Sequence, residues 1–171
     1  MRTRSLRSGV YLAAGAGLIV SIYSAYETAH AGAGICNINA YISCSAVATS
    51  GHTTTFGIQD YWLGIGGFLL IIAVAAVAEQ QRNYATAVAL AFVTSLGVAM
   101  AAYFLYLEVA VIGALCLVCV AAYLMGVAAW LPSLLILRRT SLRAQKTKGR
   151  AEADDGNPPS DGTPSQADTP P

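Results

Sequence analysis

The sequence predicts an all-α integral membrane protein: a four-transmembrane-helix bundle with a long outer loop between helices one and two. Three observations carry this. Of 171 residues, 56% are hydrophobic and only 11% charged, under half the roughly 25% charge of a soluble domain. The charges bound four uncharged runs, 8–26, 61–78, 83–107 and 109–137, each near or above the ~20 residues that cross a hydrocarbon core. All ten Lys and Arg fall at the two termini or between runs two and three, the alternation that the positive-inside rule expects of an even number of spans. The net charge of +1 also argues against a nucleic-acid binder, which would carry a basic excess.

The elements follow in order. In lipid the backbone must satisfy its own hydrogen bonds, so each run is read as a helix, with spans at about 8–27, 59–79, 83–107 and 110–137. Arg2, Arg4 and Arg7 precede helix one. This start, with Ala29-His30-Ala31 behind it, imitates a signal peptide, but the 19-residue run exceeds a usual signal core and is expected to stay. The outer loop is 28–58. Arg82 lies between helices two and three, and Arg138, Arg139, Arg143, Lys146, Lys148 and Arg150 follow helix four. Both termini are therefore expected in the cytoplasm. Residues 1–143 form the membrane domain. The tail 144–171 has almost no large apolar side chain and is expected to be disordered and cytoplasmic.

The outer loop is too long for a simple connection and carries Ile35, Ile38, Tyr41, Ile42, Val47 and Phe56, enough to dock on the helix ends. All four cysteines lie in the outward half, the oxidising side in bacteria and in the endoplasmic reticulum lumen. Cys36 and Cys44 are in the loop; Cys116-Leu-Val-Cys119 is in run four. Residues three apart share a helix face, and a disulfide closing so short a loop adds little stability. CxxC is instead a spacing in which dithiol and disulfide interconvert. A metal centre is not expected, because an embedded pair and a loop pair make a poor zinc cage. Val120 after Cys119 excludes cytochrome c attachment.

Cys36, seven residues, Cys44-Ser45, then Phe56-Gly57, then Cys116-Leu-Val-Cys119 with Tyr123 four residues on, resembles the vitamin K epoxide reductase family over about residues 8–137. It is similar to prokaryotic-type members without a fused thioredoxin domain. The resemblance implies four helices around a quinone near the outer leaflet, with Cys119 facing the quinone and Cys116–Cys119 as the active-site pair. It implies that Cys36 and Cys44 are the shuttle pair and that Cys44 exchanges with Cys116. Tyr123 matches a pocket-lining tyrosine. The family position that hydrogen-bonds a quinone carbonyl near the start of helix two is Asp60 here, and a carboxylate donates only when protonated.

The expected function is a membrane thiol–quinone oxidoreductase in a prokaryotic cell membrane. It forms disulfides by passing electrons from a separate thioredoxin-like protein through Cys36/Cys44 and Cys116/Cys119 to a menaquinone-, ubiquinone- or vitamin K-type quinone. The alternatives are vitamin K epoxide or quinone reduction in an endomembrane and, in another class, a disulfide-stapled structural or transport protein. Cys36, behind Gly32 and Gly34, is expected to be the freer loop cysteine. Glu108 reads as an interface cap, with a proton relay as the rival reading. His30 and His52 read as polar loop residues, Trp62 and Trp130 as interface anchors, and Gly64, Gly66, Gly67 and Gly113 as packing glycines.

Overall fold

A computed structural model of the chain describes residues 2–30, 36–39, 41–50, 54–55, 57–81 and 83–155. Among these, four helices are long and apolar enough to cross a membrane. They are α1 (Arg2–Ala29), α3 (Asp60–Gln81), α4 (Tyr84–Tyr106) and α5 (Leu117–Asp155). A short α2 (Cys44–Thr49) and a two-stranded hairpin, β1 (Thr54–Thr55) with β2 (Ile58–Gln59), belong to the loop.

The helices form a ring in which α1 packs on α3 and α5, and α4 packs on α3 and α5. The core lies where these faces meet and is built of small and branched side chains, Val10, Ala14, Ile71, Ala75, Ala87, Leu90 and Ile136, around the ring of Phe68. Small residues let helix backbones approach, which is how helices associate where no hydrophobic force separates protein from lipid. Outward, the spans present Leu12, Ile19, Phe92, Leu96, Leu124 and Leu131, all more than half exposed. An apolar surface on that scale is a membrane-facing one. The chain is an integral membrane protein.

One contact tests this packing. A Cβ added at Gly17 on α1 would run into the ring of Phe68 on α3. Gly17→Ala is therefore expected to cost about 1–3 kcal/mol, the usual penalty of overpacking, and Phe68→Leu in the same chain to recover part of it. Thermal unfolding in detergent reads this out, and an unchanged melting temperature would contradict the contact.

Four boundaries differ from the sequence reading. Helix α1 begins at Arg2, six residues ahead of the expected span. Helix α4 continues into a π-helical turn, Leu107–Ile112, giving a span of 29 residues. That span ends at Gly113, whose φ of +70° suits a residue without a side chain and stops the helix. Gly113 is thus a terminator rather than a packing glycine; among the described residues nothing lies within 4 Å of a Cβ built there. Consequently α5 starts at Leu117, seven residues later than the expected span. At its other end α5 runs on through Arg143 to Asp155. Ala, Gln, Lys, Arg and Glu in that stretch are good helix formers, and extending an existing helix avoids the nucleation cost. Residues 156–171 of the expected tail, with Gly32, Gly34, Ile35, His52, Phe56 and Arg82, lie outside the described residues.

The loop docks at the end of the bundle where α3 and α5 begin. Ile42 pairs with Leu115 in an isolated parallel bridge. The Ser43 N–H donates to the Leu115 carbonyl at 3.2 Å, and the Leu115 N–H donates to the Tyr41 carbonyl at 2.8 Å. This pairing brings the loop cysteines onto the CxxC.

Candidate active site at the start of α5

Cys116 occupies the N-cap of α5. Its carbonyl accepts the first helical bond, from the Val120 N–H at 3.0 Å, and its Sγ accepts from the Cys119 N–H at 3.3 Å. The late start of α5 produces this. A helix beginning near residue 110 would bury Cys116 in its second turn, whereas here the sulfur faces the free N–H groups and the positive end of the helix dipole, where negative charge is favoured.

The loop delivers the second pair. Ser43 caps α2, its Oγ accepting from the Ala46 N–H at 3.2 Å. The Asn37 Oδ1 accepts from the Ser43 hydroxyl at 2.9 Å, the Ser45 N–H at 3.2 Å and the Ser45 hydroxyl at 3.0 Å, so one amide ties the Cys36 segment to the start of α2. Cys36 and Cys44 are joined in a disulfide with Cα atoms 5.6 Å apart. Cys116 and Cys119 are thiols. The Cys44 Sγ lies 3.1 Å from the Cys116 Sγ, and the sulfurs of Cys36, Cys44 and Cys116 all lie within 4.8 Å of one another. Exchange needs a thiol, a disulfide sulfur within reach and access, and the first two are present. Cys36 is 4% exposed and is not the freer cysteine in this state: the Asn37 anchor and the Ile42–Leu115 bridge press it into the cluster with Val47 and Ala114.

Two cavities meet at the CxxC. One, of about 250 Å³, lies between α1, α3, α4 and α5 and is walled mostly by apolar groups such as Leu63, Ile71, Val93, Met100 and Phe104, with Asp60, Cys119 and Tyr123 at the site. The other, of about 230 Å³, lies under the loop and is more polar. Glu27, Thr28, Asn37, Cys44, Ser45, Gln59, Asp60, Cys116 and Cys119 line it. Asp60 and Cys119 border both. The first cavity suits a flat apolar ring that ends against a sulfur; the second suits a polar thiol compound.

Glu108 is the site residue whose place the sequence least reveals. It is 2% exposed and buried within the π-helical turn rather than capping an interface. Its Oε2 accepts from the Cys116 N–H at 3.1 Å and its Oε1 from the Tyr123 hydroxyl at 2.8 Å. The only sequence signal is a lone charge eight residues before a CxxC. Asn37 gives no such signal. His30 is exposed and its Nδ1 donates to the Tyr26 carbonyl at 3.0 Å. Trp62 is 58% exposed, as an interface residue would be. Trp130 donates to the Ser95 Oγ at 2.9 Å and so also joins α5 to α4.

A sequence model described as the vitamin K epoxide reductase family matches residues 10–134 of the chain. No curated protein matches it. The match runs from within α1 to about the middle of α5 and includes the four cysteines, Asp60, Glu108 and Tyr123.

Proposed function

The chain belongs to the vitamin K epoxide reductase family, and from that premise we propose that it is a thiol–quinone oxidoreductase that makes disulfides for a separate thioredoxin-like protein. The observation that carries this reading is the 3.1 Å approach of Cys44 to Cys116 beside an apolar cavity that ends at Cys119.

A quinone bound in that cavity supplies an acceptor for two electrons and two protons. The residues do the rest. The reduced partner attacks the Cys36–Cys44 disulfide, leaving a loop dithiol. Cys44 then attacks Cys116 of the oxidised CxxC, and Cys36 resolves the bridge, so the electron pair comes to rest on Cys116 and Cys119. Cys119 faces the cavity and is the donor there. Tyr123 and Asp60 bound the ring, and the apolar walls exclude water. The state described above, with the loop pair oxidised and the CxxC reduced, is the one poised to give up electrons.

On this reading the partner meets the loop on the oxidising side of a cell membrane with both termini in the cytoplasm, an orientation supported by the basic residues at the termini and between spans two and three. The single test is quinone-dependent oxidation of a reduced thioredoxin-like protein by the purified chain in detergent. Disulfides should appear in the partner with one quinone consumed per disulfide. No consumption, with a partner shown to be reduced, would overturn the reading and favour a permanently stapled membrane protein.

A further inference from the structure

We propose that Glu108 is a catalytic proton carrier that takes the proton of the Cys119 thiol and returns it through the Tyr123 phenol to a quinone oxygen. The inference rests on the quinone reading above and deepens it.

A carboxyl group buried to 2% exposure is costly unless its oxygens are partnered. If the group served only to tie α4 to α5, backbone N–H donors would suffice. Only one partner is a backbone N–H, that of a reacting cysteine; the other is the phenol that faces the cavity. Cys116 donates its N–H to Oε2 and Tyr123 donates its hydroxyl to Oε1, while Cys119, whose N–H lies on the Cys116 sulfur, is the neighbouring thiol. Cys119 and Tyr123 both line the apolar cavity, while Glu108 stands behind them. A carboxylate held 2.8 Å from the phenol, with the thiol beside it, can accept a proton from the thiol and pass it to the phenol.

The backbone holds the group still. Glu108 sits in a six-residue π-helical turn, a rare element that recurs at functional sites. Its own carbonyl accepts from the N–H groups of both Gly113 and Ala114, so the turn closes around it.

The step balances. Oxidation of the CxxC breaks two S–H bonds, forms one S–S bond and releases two electrons and two protons, and two O–H bonds form on the quinone. One proton goes from the Cys119 Sγ to the Glu108 carboxylate while the Tyr123 hydroxyl gives its proton to the quinone; Glu108 then restores Tyr123. The other leaves Cys116 into the polar cavity, and an equal one enters from the side where Asp60 borders both cavities.

The experiment is single-turnover oxidation of the reduced full chain by a short-chain benzoquinone. Glu108→Gln keeps an oxygen for the Cys116 N–H but cannot carry a proton. It should slow the reaction at saturating quinone by about 10²-fold, the usual size of a lost general acid–base group, with quinone affinity within about threefold. Glu108→Asp should recover at least about tenfold of that. Tyr123→Phe should be slowed comparably, and the double variant should be no slower than either single one, because the two act in one chain. Activity of the unaltered chain with a near-normal Glu108→Gln rate, or multiplied losses in the double variant, overturns this proposal alone. A quinone-inactive unaltered chain overturns the functional reading with it. If Glu108→Gln fails to fold, seen as loss of small-dithiol reduction of its CxxC, Tyr123→Phe decides: a near-normal rate overturns the relay and a slow rate with unchanged affinity supports it.

Discussion

Cys119→Ser is expected to abolish quinone reduction, by on the order of 10³-fold or more, since it removes the reacting sulfur itself. The loss should be the same whether electrons come from a protein or from a small dithiol. Cys36→Ser should behave differently. The polar cavity beneath the loop is lined by Cys44, Cys116 and Cys119, so a small dithiol has a way to the CxxC that bypasses Cys36. With small dithiol, Cys36→Ser should stay within a few fold of the unaltered chain, and with the protein partner it should fail. Quinone-consumption assays with both reductants separate the cases. Equal losses for the two variants with small dithiol would dissolve the division into shuttle and active-site pairs.

Cys119→Ala is expected to accumulate a Cys44–Cys116 disulfide as the dominant species. The two sulfurs already lie 3.1 Å apart, and the backbone pairing of residues 41–43 with Leu115 fixes them. Cys119 is the thiol that would resolve the bridge from the helix side, and the Cys116 sulfur sits on its N–H. Without it, the Cys116 thiol attacks Cys44 of the Cys36–Cys44 disulfide and releases Cys36, leaving a bridge that only Cys36 can reverse. Peptide mapping by mass spectrometry should find the link without added oxidant. Because the Cys36 sulfur also lies within 4.8 Å, the competing outcome is concrete: a dominant Cys36–Cys116 link would reassign the exchange.

What the sequence reveals here is what depends on composition over many residues. The four spans are legible because each is a long run without charge, and the cysteine constellation because its spacing survives as text. What is not legible depends on one backbone angle or one tertiary neighbour. Gly113 lies inside an apolar run and reads as helix; only its left-handed φ shows that the run is two elements. That one residue moves the start of α5 to Leu117 and converts Cys116 from a mid-helix position to a cap. Glu108 is ambiguous for the same reason. A single acid between two apolar runs looks like an interface residue until the π-helical turn rotates it inward against Tyr123. The extension of α5 to Asp155 is hidden by the polarity of residues 144–155, which excludes a core but not a helix.

The shared wall of the two cavities bears on the order of events. Asp60 and Cys119 stand between a polar chamber and an apolar one, so a molecule in the first and a molecule in the second never occupy the same volume. A reductant and an oxidant served by such a wall need no ternary complex. Each half-reaction can finish, and its product depart, before the other substrate arrives, with the protein itself holding two electrons between visits. On the function proposed above, this architecture permits a two-site ping-pong scheme: the two substrates would not compete, and a slow supply of one would leave the chain charged rather than blocked.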